Sequence, residues 1–187
     1  MRRHLLLSLL LAPLALTACR EEIVELPDPV PLTETALSYY CQMWIADHGG
    51  PKAQIHLEGM PGPIFFAQVR DAVAYLRSPE RDAPVIAVYV SDMEKAKSWD
   101  EPGPTNWVAA KAASFVVGAD VKGGMGAPEI APFGTLAAAK RFAEDRGGNV
   151  MSLEEIPSEV VLAPVDLDLP GESHQTVENP EPRETTQ

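Results

Sequence analysis

Ala53-Gln54-Ile55-His56-Leu57 alternates apolar with polar residues, and the rest of the fold can be worked out from what surrounds it. A period of two is typical of a strand with one buried and one exposed face, so His56 is expected on the polar face. A loop rich in glycine and proline follows at residues 59–63, and then a short apolar stretch at 64–66. Two short strands joined by such a loop predict an antiparallel hairpin.

Beyond the hairpin the pattern changes to that of a helix followed by a buried strand. Val69, Ala72, Val73 and Leu76 recur at helical spacing. Residues 85–90 then form a continuous apolar run rich in β-branched side chains, which predicts a central strand. This half of the chain therefore has the order β-β-α-β.

The second half of the chain repeats that order. Its predicted elements are a strand opening at 115–117, a glycine-rich loop at 122–128, a short strand at 130–133, a helix capped by Thr135 and ended by Gly147, and a closing strand at 150–156. We therefore predict an α+β fold, with two β-β-α-β units at about 40–95 and 105–160 packed on one core through antiparallel strands.

The N-terminus has the pattern of a secretory signal. Arg2 and Arg3 precede an apolar run too short to cross a bilayer comfortably, and residues 1–18 are interpreted as a signal peptide. Leu16-Thr17-Ala18-Cys19 resembles a bacterial lipobox, which implies a Cys19 acylated with palmitate-type chains. Arg20 follows in place of the aspartate typical of inner-membrane retention, so we expect a periplasmic protein anchored to the outer membrane.

Proline and acidic residues mark the two ends of the folded body. Residues 19–37 are predicted to be a flexible, extended tether, and 170–187 a disordered acidic tail. The domain then spans 38–169, with 157–169 expected as a last edge strand.

The composition limits the class of function. Removing the first 18 of 187 residues takes away Arg2 and Arg3, so the formal charge falls from −12 to −14. Such an acidic chain does not fit nucleic-acid binding, which needs clustered cations. With Cys19 acylated, Cys41 is the single thiol of the mature chain and has no disulfide partner. It could be a reactive thiol, an intermolecular bridge, a metal ligand or an inert core residue.

Cys41 and Met43 form the first candidate metal pair. A thiolate and a thioether are soft ligands that suit Cu(I). Residues i and i+2 share a face on an extended segment but not on a helix, so chelation requires a strand or a loop, and the β-prone Trp44 and Ile45 support that context. Two packed core side chains would have the same spacing, and that alternative stays open.

Met125 supports the metal hypothesis because it stands between glycines, where a thioether has little to pack against. It is expected to be exposed and mobile, able to swing onto a metal. His48, in the turn behind Met43, is equally well explained as a ligand or as a turn residue. Met60 has a loop position similar to that of Met125, although it can pack on neighbouring prolines.

The segment from Tyr40 to Ile55 reads Tyr-Cys-x-Met-x-Ile-x-x-His-x-Gly-Pro-Lys-Ala-Gln-Ile and resembles the signature of the NosL-type lipoproteins, accessory copper chaperones of nitrous oxide reductase. The resemblance implies Cu(I) bound by Cys41, Met43 and Met125. It also implies delivery to nitrous oxide reductase, with an ABC-type assembly complex as partner, in denitrification. The family commonly has glycine where this chain has Gln42.

Two other classes of function compete with a copper chaperone. A thiol-dependent enzyme would need a base positioned beside Cys41, and no recognisable motif supplies one. A structural or adaptor lipoprotein would bind no metal. We expect neither enzymatic activity nor a small-molecule substrate.

Overall fold

The computed structural model describes residues 26–165, so the predicted signal peptide, Cys19 and the acidic tail lie outside the described residues. Seven strands and three helices follow one another in this part of the chain. They are β1 (Ala53–Leu57), β2 (Ile64–Phe66), α1 (Val69–Arg77), β3 (Val85–Ser91), β4 (Trp107–Ala109), β5 (Ser114–Val117), β6 (Ala131–Phe133), α2 (Leu136–Arg146), β7 (Asn149–Met151) and α3 (Ser158–Leu162). Among these residues, no helix has the length and apolar character needed to cross a membrane.

The strands form two antiparallel sheets with matching connections. The first has the order β2-β1-β3-β4 and the second the order β6-β5-β7, so in each unit the first strand is flanked by the second and third. The prediction of an α+β fold built from two β-β-α-β units is confirmed. Strand β4 pairs with β3 and joins the first sheet to the start of the second unit.

The main hydrophobic core lies between the two units. Phe66 and Ile55 from the first unit and Phe115 from the second are fully buried in one cluster. Burying a side chain of this size stabilises the fold by about 1.5–3 kcal/mol. A smaller cluster, which includes Val116 and Phe133, lies under α2. Because the larger cluster draws on both halves of the chain, the units share one core.

Strand β1 corrects the expectation of a half-exposed strand, because all five of its residues are buried. Its polar side chains are satisfied locally. Gln54 accepts a hydrogen bond from the Val30 amide (2.8 Å) and donates one to the Val30 carbonyl (2.9 Å), and His56 Nε2 lies 3.1 Å from Gln54 Oε1. His56 is thus a buried residue whose pKa is lowered by burial, and the prediction that it lies on an exposed polar face is wrong.

The chain before β1 covers this face of the sheet. Besides the contacts of Val30, the Tyr89 hydroxyl donates to the Pro27 carbonyl (2.7 Å), and the Leu32 amide donates to the Pro104 carbonyl (2.8 Å). Residues 27–32 are therefore attached to the folded body, which corrects the prediction of a flexible tether for this part of 19–37. Residues 19–25 of the predicted tether lie outside the described residues.

The end of the second unit also differs from expectation. Strand β7 stops at Met151 because a turn begins there, in which the Glu155 carboxylate accepts from the Ser152 amide (2.8 Å). The edge strand expected over 157–169 is replaced by α3, whose Val161 is buried. The helix α2, by contrast, is confirmed: Thr135 Oγ1 accepts from the Ala138 amide (3.2 Å), and Gly147 ends it with φ 74°.

Candidate metal site

Cys41 and Met43 lie on a tight turn and not on a strand. The Ser38 amide donates to the Met43 carbonyl (2.9 Å), and the Gln42 amide donates to the Ser38 carbonyl (2.9 Å). A 3-10 helix, Ile45–Asp47, follows directly, and Trp44 forms an isolated antiparallel bridge with Leu37. Chelation by Cys41 and Met43 requires a strand or a loop, and the structure shows a loop.

The chain reverses direction at Gln42, whose φ of 56° lies in the left-handed region that favours glycine. The glycine that the resembled family commonly has between Cys and Met would adopt this conformation without strain. Here the Gln42 side chain donates to the Tyr39 carbonyl (2.6 Å) and to the Ser38 carbonyl (3.3 Å), which closes the turn. Substitution by glutamine therefore keeps the turn through added hydrogen bonds.

The turn is held against the end of β2. The Tyr39 amide donates to the Phe65 carbonyl (2.7 Å), and the Ala67 amide donates to Ser38 Oγ (3.2 Å). The Tyr40 ring packs edge-on against Phe66, with centroids 5.4 Å apart. Cys41 is partly exposed and Met43 is 42% exposed, so both sulfur side chains face outward from an anchored backbone. This exposure does not fit the alternative that they are core residues.

Met125 lies on a loop that is itself hydrogen-bonded. The Gly123 amide donates to the Ala127 carbonyl (2.9 Å), and the Gly126 amide donates to the Gly123 carbonyl (2.9 Å). The Met125 amide donates to Gln68 Oε1 (3.2 Å). The expectation of a mobile loop is thus corrected for the backbone, while the Met125 side chain is exposed, as expected, at 37%.

The glycines of this loop allow close approach to the neighbouring segments. A Cβ on Gly124 would lie 2.4 Å from the Cβ of His48, and one on Gly123 would lie 2.4 Å from Gln68 Oε1. Real Cβ atoms do not approach other atoms so closely, and because the atoms facing Gly124 belong to the rigid backbone around His48, that position requires glycine. The loop therefore packs directly against the turn that contains His48.

The two sulfur-bearing loops are anchored at neighbouring positions. The Cys41 turn binds residues 65–67, and the Met125 loop binds Gln68, the next residue along the chain. Four consecutive residues span at most about 10 Å, so the anchors of the two loops are close together. Met60 lies in the β1–β2 hairpin at the opposite end of β2 and is not part of this arrangement.

His48 lies against the Met125 loop. Its Nδ1 is 3.3 Å from the Gly124 carbonyl oxygen, and its buried Nε2 has no hydrogen-bond partner within residues 26–165. If Nδ1 carries the proton and donates it to the carbonyl, Nε2 keeps a free lone pair. This is the tautomer in which a histidine binds a metal. The geometry therefore favours the ligand alternative for His48 over that of a turn residue.

A buried lysine secures the turn that contains His48. Lys52 Nζ donates to the carbonyls of His48 (2.5 Å), Gly49 (2.8 Å) and Ala67 (3.2 Å). Burial lowers the Lys52 pKa to about 8. The lysine thus joins this turn to the end of β2, where the Cys41 turn is also attached.

Glu129 connects the second unit to the first helix. Its Oε1 accepts from the amides of Arg70 (2.9 Å) and Ile130 (2.8 Å), so it caps the N-terminus of α1 from across the interface. Complete burial raises the Glu129 pKa to about 8, above neutral pH. Buried and bonded to two backbone amides, the carboxyl acts as part of the scaffold.

Three supporting residues were missed in the sequence. Lys52 stands inside the Tyr40–Ile55 signature, where a cation next to a buried strand is a usable signal. Gln68 has no such signal, since it follows an ordinary apolar strand. Trp99 lies between the two units in sequence, where no motif marks it, yet its carbonyl accepts from the Gly50 amide (3.0 Å) and its Nε1 donates to the Lys122 carbonyl (3.0 Å).

Comparison with known proteins places this architecture in a family. A family model described as NosL matches residues 29–161. The chain belongs to the NosL family. The copper-binding lipoprotein NosL of Achromobacter cycloclastes is 48% identical over 168 residues, which cover 89% of this chain and 87% of that protein. The copper-binding lipoprotein NosL of Stutzerimonas stutzeri is 33% identical over 154 residues, which cover 81% of this chain and 78% of that protein.

A solved structure of a NosL protein has a similar fold. The crystal structure of the copper chaperone NosL from Shewanella denitrificans matches with a TM-score of 0.65 at 30% sequence identity. The match covers 69% of this chain and 95% of that one. The resemblance identified in the Tyr40–Ile55 signature is thus confirmed at the level of the NosL family and its fold.

Proposed function

We propose that this chain is a copper chaperone that binds one Cu(I) through Cys41, Met43 and Met125 and delivers it for assembly of the copper centre of nitrous oxide reductase. The observation that carries the proposal is the anchoring of both sulfur-bearing loops on residues 65–68, with the sulfur side chains accessible. Its NosL relatives are described as copper-binding lipoproteins and a copper chaperone, which supports copper as the metal.

The donor set suits Cu(I) by its chemistry. Thiolate and thioether sulfur are soft ligands that select Cu(I), whereas thioethers are poor ligands for zinc. Cys41 would supply the single negative charge, and the thioethers of Met43 and Met125 would complete a low-coordinate site open to solvent. Such a site lets an incoming ligand bind before the old one leaves, so copper can pass on without being released as a free ion.

A competition titration tests the ligand set. Cu(I) is held by a chromogenic chelator and reduced protein is added. The protein should remove one equivalent of Cu(I) from the chelator. Cys41→Ser should weaken binding by more than about 100-fold, beyond the range for losing an outer-shell partner, because it removes the anionic ligand. Met125→Leu should weaken it less. Met60→Leu is the matched control, since Met60 occupies the equivalent loop of the other unit, and it should bind as the unaltered chain does.

The outcomes of this titration are distinct. No competition at one equivalent would refute copper binding and leave the adaptor lipoprotein. Equal binding by Cys41→Ser would place the site elsewhere in the chain. An effect of Met60→Leu as large as that of Met125→Leu would contradict the assignment of the distal ligand.

His48 is proposed as a further ligand through Nε2, on the evidence of its unpartnered and buried ring nitrogen. X-ray absorption of the Cu(I) form, which counts sulfur and nitrogen scatterers, should find one nitrogen beside the sulfurs. His48→Ala should remove that nitrogen while keeping the sulfur count. A spectrum with sulfur scatterers alone would exclude His48 from the site.

Delivery is proposed to take place at the membrane surface in the periplasm. Acylation of Cys19 would anchor the chain, to the outer membrane on the evidence of Arg20, and the name lipoprotein given to its relatives supports an anchor. The proposed partners are nitrous oxide reductase, its ABC-type assembly complex, or both. A chain with Cys19→Ala should appear in the soluble periplasmic fraction, and retention on membranes after a high-salt wash would contradict the anchor.

Copper transfer can be measured with purified components. The loaded chain is mixed with copper-free nitrous oxide reductase, with and without the assembly complex, and the copper of each is determined after separation. We expect the unaltered chain to transfer copper to the reductase even when a strong chelator is present that traps any copper released into solution. Transfer that the chelator abolishes would mean release into solution and would refute a chaperone mechanism.

A further inference from the structure

Gln68 is a buried amide that stands between helix α1 and the loop containing Met125. The side chain is 3% exposed and follows β2 directly. Its Oε1 accepts from the Met125 amide (3.2 Å), and its Nε2 donates to Asp71 Oδ2 (3.2 Å). Met125 is thereby attached to the first unit, 57 residues away along the chain.

Its two partners fix which way this amide points. The Met125 backbone N–H can only donate, so the oxygen of Gln68 faces the loop and its NH₂ group faces the Asp71 carboxyl. The oxygen is also enclosed by the loop, since a Cβ on Gly123 would lie 2.4 Å from it. The acceptor for the Met125 amide is therefore fixed in place before any ligand arrives.

We propose that Gln68 is a positioning residue that holds the Met125 backbone so that its thioether meets the metal. The inference rests on the proposed function, because it takes Met125 as a Cu(I) ligand. Met125 needs such an anchor, since its side chain has three rotatable bonds and glycines stand on both sides of it. Fixing the backbone in advance reduces the conformational entropy that metal binding would otherwise cost.

The first test measures whether Gln68 acts through Met125. Gln68→Leu removes the acceptor, and losing one hydrogen bond should weaken Cu(I) binding about threefold to tenfold. In the Met125→Leu background the same substitution should change binding by less than about twofold, because the ligand that it positions is gone. A Gln68 that merely stabilised the fold would weaken binding equally in both backgrounds.

A charge exchange provides a rescue. Gln68→Glu alone sets a carboxylate against that of Asp71 and should weaken binding. Combining it with Asp71→Asn keeps the net charge of the pair, restores a donor–acceptor contact between the two side chains and leaves an acceptor for the Met125 amide. The double variant should recover Cu(I) affinity to within about twofold of the unaltered chain. Asp71→Asn alone is the control: its amide oxygen can still accept from Gln68 Nε2, so it should weaken Cu(I) binding by less than Gln68→Glu alone.

The state of the loop can be observed without copper. In protein labelled with ¹³C at the methionine methyl groups, Gln68→Leu should shift and narrow the Met125 signal as the loop gains mobility. The signals of Met43 and Met60, which lie on other loops, should stay in place. Melting temperatures recorded alongside show whether each variant is folded.

The results separate this inference from the proposed ligand set. If Met125→Leu alone leaves Cu(I) affinity unchanged, both the ligand set and the role of Gln68 are refuted. If Met125→Leu weakens binding but Gln68→Leu does not, the positioning role alone is refuted. Equal losses for Gln68→Leu in both backgrounds, or no recovery in the folded double variant, would also overturn it.

Discussion

Gln42 allows a test of the backbone conformation on which the Cys41 turn depends. Its φ of 56° costs an ordinary residue about 1–2 kcal/mol and glycine almost nothing. Its side chain offsets part of that strain through hydrogen bonds to the carbonyls of Tyr39 and Ser38. Gln42→Ala keeps the strain and loses the hydrogen bonds, whereas Gln42→Gly loses both.

The expected magnitudes follow from these terms. Gln42→Ala should lower the free energy of unfolding by about 1 kcal/mol, because its lost hydrogen bonds are partly solvated. Gln42→Gly relieves the backbone strain, although the greater freedom of glycine stabilises the unfolded state by about 0.5–1 kcal/mol. The glycine variant should therefore be more stable than the alanine variant by about 1 kcal/mol. For a domain of this size the difference in melting temperature is about 4 °C.

Urea unfolding of the reduced protein, followed by circular dichroism, measures this difference. A matched pair at Lys140, exposed within α2, gives the opposite sign: Lys140→Gly should be less stable than Lys140→Ala by about 1 kcal/mol. A Gln42→Gly variant no more stable than Gln42→Ala would refute a left-handed conformation at this position.

Three further predictions concern the scaffold. Because burial raises the Glu129 pKa from 4.5 to about 8, the folded state holds this proton longer than the unfolded one. Stability should therefore fall by a few kcal/mol as pH rises from about 4.5 to 8, and urea unfolding at several pH values should show a flatter profile for Glu129→Gln. Gly124→Ala should cost about 1–3 kcal/mol because its Cβ would overlap the facing turn, whereas Gly62→Ala, which meets open space, should change the free energy of unfolding by less than about 0.5 kcal/mol. Asp82→Asn should lower the Tyr39 pKa from about 12, since the hydrogen bond to Asp82 is the main cause of its rise. Ultraviolet titration of the tyrosines measures this pKa, and an unchanged value would contradict the prediction.

Much of the fold could be predicted because its signals are local. Thr135 and Gly147 bound α2 as their chemistry indicates, and the repeated order of elements predicts two similar units. The burial of β1 could not be predicted, because its alternation of Gln54 and His56 with apolar residues has the same pattern whether the polar face meets water or another part of the chain. The segment around Val30 covers that face.

The candidate site divides in the same way. The sequence alone pointed to Cys41, Met43 and Met125, because sulfur softness and the short Cys-x-Met spacing are properties of the residues themselves. The supporting roles of Lys52, Gln68 and Trp99 remained unrecognised. Each of the three forms hydrogen bonds to segments that are distant in sequence or on a different element, and no local pattern records those contacts.

The sequence by itself thus determined the β-β-α-β order of the two units and the chemistry of the sulfur donors. Only the tertiary structure decided that the Cys41 turn and the Met125 loop are anchored on adjacent residues and that His48 lies against Gly124, 76 residues further along the chain. The physical reason is that periodicity and donor type are encoded residue by residue. Proximity depends on how the two units pack, and therefore on the shared core that contains Phe66 and Phe115.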